Sequence, residues 1–147
     1  MKKRKQSKGL TLIELMVTIA AASILMLTVG LILIMAFRSL RINNVYADLR
    51  RDSAFAFSMM TRDVREANYD TLTDGTTLTL PSATYTKSGN TLTHNGDVLI
   101  PKNVQFFDSE KKPSGDGVLL TLVLSDEVYV GGYTIAITNQ VFVNTRN

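Results

Sequence analysis

The chain has 147 residues, of which 20% are charged, and a formal net charge of +3. This length allows one modest domain with a membrane anchor and is too short for two ordinary globular domains. Five of the 16 Lys and Arg residues lie within the first nine positions, so the remainder is slightly acidic. Nucleic-acid binding needs basic residues clustered on the folded surface, and we therefore predict no nucleic-acid partner. The absence of cysteine excludes disulfides, thiolate metal sites and cysteine nucleophiles.

A long apolar segment, Leu10 to Phe37, follows the basic start. As a helix it would extend roughly 40 Å, which exceeds the hydrocarbon core of a bilayer. Only Arg38 and Arg41 flank its far end, so the positive-inside rule places Met1 in the cytoplasm. We therefore expect a single-pass protein of the cytoplasmic (inner) membrane, with residues after Phe37 in the periplasm or outside the cell.

Glu14 lies near the start of this apolar segment. A carboxylate inside a membrane is costly, and such residues normally have a partner and a function. A secretory signal cut before Ser23 would not account for it, and would leave a long apolar amino terminus. An uncleaved anchor, with Glu14 reaching the cytoplasmic interface, is compatible with the composition. The alternative interpretation is therefore an uncleaved single-pass anchor that carries an extracytoplasmic binding module.

The run from Gly9 to Glu14, GLTLIE, closely resembles the signature of the type IV prepilin family. That signature is a short basic leader ending in glycine, an apolar residue, then Thr-Leu-Ile-Glu and a long hydrophobic helix. The resemblance implies that prepilin peptidase/N-methyltransferase cleaves between Gly9 and Leu10 and that Leu10 becomes N-methylated. It also implies that Glu14 acts in assembly by neutralising the amino terminus of an adjacent subunit.

The resemblance further implies a structural, non-enzymatic subunit of a type IV pilus or a type II secretion pseudopilus. Such a subunit loses its leader, here residues 1–9, and moves from membrane lipid into the fibre. Its partners are then other pilins or pseudopilins and an inner-membrane assembly platform. Residues 10–37 would form both the transmembrane helix and the helical core of the filament. No cofactor is expected.

Residues 38–69 contain neither Pro nor Gly and are predicted to continue the same helix. Apolar residues recur there at intervals of three, four or seven and define one face. That face consists of Val45, Leu49, Ala56, Met60, Val64 and Ala67. The other faces carry charged residues that we predict to be solvated, including Asp63, and Arg62 is spaced to pair with Glu66.

From residue 70 onward the apolar period changes to two, which is typical of strands. The predicted strand faces are Leu78 and Leu80; Val118, Leu120, Leu122 and Leu124; and Tyr133, Ile135 and Ile137. Asn95-Gly96 is a strong two-residue hairpin signal, and the stretches 87–90 and 131–132 indicate two more turns. We therefore predict an α+β fold in which residues 70–147 form a small antiparallel β-sheet against the apolar face of the helix.

The order of these segments is similar to that of minor pilins and of the J-type minor pseudopilins of type II secretion. The missing cysteines differ from the disulfide-closed carboxyl region of many major pilins, which favours a minor subunit.

His94, the only histidine, is predicted to be a solvated turn residue. The loop acids do not follow the alternating spacing of a calcium loop, so we predict no metal; they are Asp70, Asp74, Asp108, Asp116 and Asp126. No catalytic constellation is recognisable.

Overall fold

The long amino-terminal helix, α1, extends from Leu12 to Glu66. It begins directly after Thr11, whose side-chain oxygen accepts the backbone N–H of Glu14 at 3.3 Å. After α1, the backbone N–H of Ala67 donates to the carbonyl of Val64, and a short 3₁₀ helix follows at Tyr69–Thr71. The prediction of one long amino-terminal helix is confirmed.

The computed structural model describes residues 11–113, 117–128 and 133–145. The chain divides into two compact units, Met1–Leu40 and Arg41–Asn147. In the first unit, the large apolar side chains from Leu12 to Phe37 are all at least half exposed. This part of α1 is long and apolar enough to cross a membrane. Such a surface requires lipid or apolar protein around it.

The second unit contains the carboxyl-terminal part of α1 and two antiparallel sheets. The first sheet is a meander of β1 (Thr77–Thr79), β2 (Thr84–Ser88), β3 (Thr91–His94) and β4 (Asp97–Ile100), in that order. The second sheet consists of β5 (Val104–Lys111), β6 (Gly117–Val128) and β7 (Tyr133–Asn144), with β6 in the centre. The α+β class is therefore confirmed.

The strands form two sheets, whereas the sequence predicted one. The segment between β4 and β5 explains the break: Pro101 has no N–H to donate to a ladder, and Asn103 adopts a φ of 74°. Gly75, just before β1, forms an isolated bridge with Ser109 of β5. There the N–H of Gly75 donates to the carbonyl of Ser109 at 2.7 Å, and the reverse bond measures 3.0 Å.

Two of the predicted turns are present. Asn95 and Gly96 join β3 to β4, and both have positive φ, at 54° and 89°. That combination is the requirement of a type I′ hairpin turn, which is why Asn-Gly occurs there. Gly89, with φ of 57°, lies in the turn between β2 and β3. Residues 131 and 132, predicted to form a third turn, lie outside the described residues.

The core of the second unit lies between α1 and the inner faces of both sheets. The predicted apolar face of α1 is buried from Leu49 to Ala67, and Val45 packs partly buried against the same core. The predicted inner residues of β6 are all buried, as are Leu78, Leu80 and Ile137. Ile135 is partly buried, and nothing is described for the side chain of Tyr133.

Candidate processing and assembly site

The two residues of the predicted cleavage site, Gly9 and Leu10, lie outside the described residues. The described part of the site begins at Thr11, one residue later. Thr11 and Glu14 bond to each other in both directions across the first turn of α1. The backbone N–H and the hydroxyl of Thr11 both donate to Oε2 of Glu14, at 2.8 and 2.9 Å, while Oγ1 of Thr11 accepts from the N–H of Glu14.

This arrangement is a capping box, in which an N-cap hydroxyl and an acid three residues later satisfy the free N–H groups of the first turn. Glu14 also lies at the positive end of the helix dipole, which favours a carboxylate there. This contact was not among the sequence-based predictions. The spacing Thr-x-x-Glu before an apolar run is the signal that could have predicted it.

Glu14 is solvent exposed in the isolated subunit, and its described hydrogen bonds use only Oε2. Among residues 11–113, 117–128 and 133–145, no cation forms an ion pair with it. Oε1 is consequently available to a donor from outside the described chain. The capping box fixes where the carboxylate stands, because both hydrogen bonds tie it to the helix start.

The structure contains a second polar cluster, around Asp63, that was not predicted from the sequence. Asp63 was predicted to be solvated, but it is buried at 6% exposure. Its Oδ2 accepts a 2.7 Å hydrogen bond from the hydroxyl of Tyr85 on β2 and lies 3.5 Å from Nε2 of His94 on β3. Arg62 donates to Oδ1 of Asp63 at 3.1 Å instead of pairing with Glu66.

His94 is likewise not the freely solvated turn residue that was predicted. Its side chain is 23% exposed, and its ring lies 4.9 Å from that of Tyr85, centre to centre. Tyr85 is fully buried. Burial raises the pKa of Tyr85 above its ordinary value, and the hydrogen bond to Asp63 raises that pKa further.

The cluster fastens α1 to two strands of the first sheet, since each partner comes from a different element. A buried carboxylate needs such partners, because an unpaired charge in a protein interior is strongly penalised. Tyr85 and His94 are 22 and 31 residues from Asp63 in sequence, so helical spacing alone carries no signal for the contact.

The loop acids, for which the sequence predicted no metal, are not grouped in the part of the chain that the structure describes. Oδ2 of Asp74 accepts the backbone N–H of Lys111, and Asp126 accepts from Asn103 and from the N–H of Glu127. Within the described ranges, no three Asp, Glu or His side chains are grouped as metal ligands. Asp116 lies outside those ranges.

Comparison with known proteins bears on the amino-terminal segment. Residues 4–30 match the family described as the prokaryotic N-terminal methylation motif. No curated protein and no solved structure matches the chain. The matched residues include Gly9, Leu10, Thr11 and Glu14, and therefore cover both the predicted cleavage site and the capping box. Through residues 4–30 the chain matches the type IV prepilin-like family, and its methylation motif indicates a type IV pilin-like substrate of prepilin peptidase.

Proposed function

We propose that the chain is a minor pilin or pseudopilin, a structural and non-enzymatic subunit of a type IV pilus or a type II secretion pseudopilus. In this proposal prepilin peptidase/N-methyltransferase removes residues 1–9 and methylates Leu10. The mature subunit is then held in the inner membrane by residues 10–37, with its carboxyl-terminal unit outside the cytoplasm. From there an assembly platform transfers it into a fibre of other pilins or pseudopilins.

The observation that carries the proposal is the conjunction of the methylation motif with the exposed apolar surface of α1. From Leu12 to Phe37 this surface has no described protein partner. Lipid satisfies it before assembly, and neighbouring helices can replace the lipid in a fibre. Small residues at positions 20–23, three alanines and a serine, allow close helix approach.

We propose that Glu14 fixes the axial register of assembly, that is, the position of each subunit along the fibre relative to its neighbour. Cleavage after Gly9 creates an ammonium at Leu10, a cation at the edge of apolar surroundings. Oε1 of Glu14, which has no hydrogen-bond partner among the described residues, is suited to accept that group from an adjacent subunit, because Oε2 is already held by Thr11. An ion pair in a medium of low dielectric constant is stronger than in water, and either charge alone is penalised.

The deciding experiment is mass spectrometry of the amino terminus of the protein recovered from its native membrane. We expect a terminus at Leu10 that carries one methyl group. A terminus at Met1 would support the alternative, an uncleaved anchor for an extracytoplasmic binding module, and a terminus at Ser23 would identify a secretory signal.

A pair of leader variants sharpens this test. Gly9→Val places a branched side chain at the proposed cut and should leave the leader attached. Ser7→Ala, two residues earlier, serves as the matched control and should be processed like the parent. If Gly9→Val is still cut after residue 9, the small residue is not what the peptidase requires.

A further inference from the structure

The four outer strands of the two sheets differ in how their free edges are protected. An unprotected edge pairs readily with another chain, and proteins prevent this with short strands, bulges, proline, charges or a covering segment. β1 has three residues, and Thr73 pairs with Thr79 beside it. β4 has four residues and is followed by Pro101. β5 is bulged between Val104 and Phe106, and the bridge to Gly75 covers part of its edge.

In the part of the chain that the structure describes, β7 has none of these devices. Its twelve residues, YTIAITNQVFVN, include no charged residue and no proline. Its pairing with β6 is continuous from Tyr133 to Asn144 without a register shift. Outside the sheet itself, no backbone hydrogen bond among the described residues reaches β7. This long, regular and neutral edge is therefore free to accept another strand.

The space beside this edge is an open groove of about 400 Å³. Arg50, Ser53, Ala54 and Phe57 of α1 form one wall, and residues 139–141 of β7 form the other. The inward side chains Ile135 and Val141 pack against the core and remain only partly buried. A strand added at the edge would cover them, and burying apolar surface stabilises the contact.

On both sides of Asn139, the inward residues of β7 are apolar and can pair with those of a second β7. In an antiparallel pair centred on Asn139, Ile137 of one copy lies opposite Val141 of the other, and Ile135 lies opposite Val143. These inward side chains then form apolar cross-strand pairs, which stabilise a sheet. On the outer face, Thr138 lies opposite Gln140. No like charges face each other, because the strand carries none.

We infer that the free edge of β7 binds β7 of a second copy of this chain, forming a continuous six-stranded sheet about a twofold axis. The contact is isologous, so each copy supplies the same surface. It does not use the methylation motif. Cleavage after Gly9 and pairing of β7 can therefore succeed or fail independently.

Disulfide trapping tests the contact in the full chain, in membranes of cells that lack the assembly machinery. The sequence has no cysteine, so each introduced thiol is unique. Copies with Thr138→Cys and Gln140→Cys, carrying different tags, are produced together and oxidised. We expect the mixed dimer to be the main product, since opposed residues in a strand pair are within reach of a disulfide.

The matched control is Thr121→Cys on the central strand β6, on the same sheet face. It should give no dimer, because three strand spacings, or ~14 Å, separate the two thiols. Equal trapping at Thr121 would reveal random collision and overturn the inference. Absence of the mixed dimer would overturn it as well.

A charge exchange provides the second measurement. Thr138→Lys with Gln140→Lys places like charges opposite each other and should abolish the dimer, as should the corresponding pair of Glu substitutions. Mixing the Lys and Glu chains should restore it, since opposite charges then face each other. All four substitutions are at exposed positions, and unchanged circular dichroism would show that the fold persists. Dimers of the Lys chain alone, or no dimer in the mixture, would refute β7 pairing.

Discussion

The hydroxyl of Tyr85 donates a 2.7 Å hydrogen bond to the carboxylate of Asp63, and both groups are buried. The contact joins β2 to α1 across 22 residues of sequence. It explains how an acid can occupy the buried side of a helix whose other buried residues, apart from Ser53, are apolar. Because the hydrogen bond requires a protonated phenol, it also makes stability depend on pH.

The first prediction concerns alkaline pH. Burial and Asp63 raise the pKa of Tyr85, so the native state retains this proton at pH values where the unfolded chain loses it. The contribution to stability is complete below the unfolded pKa of about 10 and decreases as the pH rises above that value. We expect the thermal midpoint of the full chain in detergent to fall between pH 9 and 11. Tyr85→Phe should reduce that fall, whereas Tyr46→Phe, at an exposed position, should not.

The second prediction concerns the coupling of Asp63 and Tyr85. Asp63→Ala leaves the buried Tyr85 hydroxyl without its acceptor, which should lower the free energy of unfolding by about 1–3 kcal/mol. Adding Tyr85→Phe to Asp63→Ala should then lower the free energy of unfolding only slightly further, because the double variant has no unpaired hydroxyl. A double-mutant cycle, followed by chemical denaturation in detergent, measures the coupling. If the double variant loses as much free energy of unfolding as the two single variants together, the hydrogen bond between Tyr85 and Asp63 does not couple the two residues.

The third prediction concerns Gly117 at the start of β6. A Cβ built there would overlap the carbonyl oxygen of Val143 on β7 and lie 2.9 Å from the carbonyl carbon. Since backbone must move to admit it, Gly117→Ala should destabilise the fold by about 1–3 kcal/mol. Gly30→Ala is the control, as nothing lies within 4 Å of its added Cβ and alanine favours helix. Equal stability of the two variants in thermal unfolding would contradict the clash.

The fourth prediction is that Glu14 matters for assembly and not for membrane insertion. Glu14→Ala removes a charge from the apolar segment, so insertion and cleavage after Gly9 should persist. Incorporation into fibres should fall, because the ammonium of a neighbouring subunit then lacks its partner. Glu14→Lys should be worse, since it adds repulsion. The measurement is the fraction of mature subunit in sheared pili or pseudopili, normalised to membrane content.

A control separates the capping role of Glu14 from its role in assembly. Glu14→Gln retains a side-chain oxygen for the Thr11 N–H but removes the negative charge. If charge pairing sets the register, Gln should assemble as poorly as Ala. If Glu14→Ala and Glu14→Lys are both incorporated into fibres as efficiently as the parent chain, Glu14 does not fix the axial register.

Much of the second unit was predictable because local patterns and tertiary packing agree there. The period of 3.6 identified Leu49, Met60 and Val64 as core residues, and the period of two identified the inner face of β6. Asn95-Gly96 specified its turn through the positive φ that both positions require. In each case the information lies within a few residues of sequence.

The division into two sheets and the burial of Asp63 were not predictable in that way. Strand periodicity identifies faces but not which strands pair, and the break at Pro101 and Asn103 separates β4 from β5. An acid on a helix is usually solvated. The environment of Asp63 differs because Tyr85 of β2 and His94 of β3 pack against it, and both are distant in sequence. At the amino terminus, the spacing of Thr11 and Glu14 did contain the capping signal.

Two side-chain hydrogen bonds attach α1 to the strands: Asp63 binds Tyr85 of the first sheet, and Ser53 accepts from Asn139 of the second at 2.6 Å. A mechanical load applied along α1 therefore meets resistance at separate points in both sheets. Both hydrogen bonds are directional and must break before the helix can shift by one turn, which adds to the resistance of the packed apolar contacts. Within the second unit, α1 is therefore held against axial displacement by one bond to each sheet.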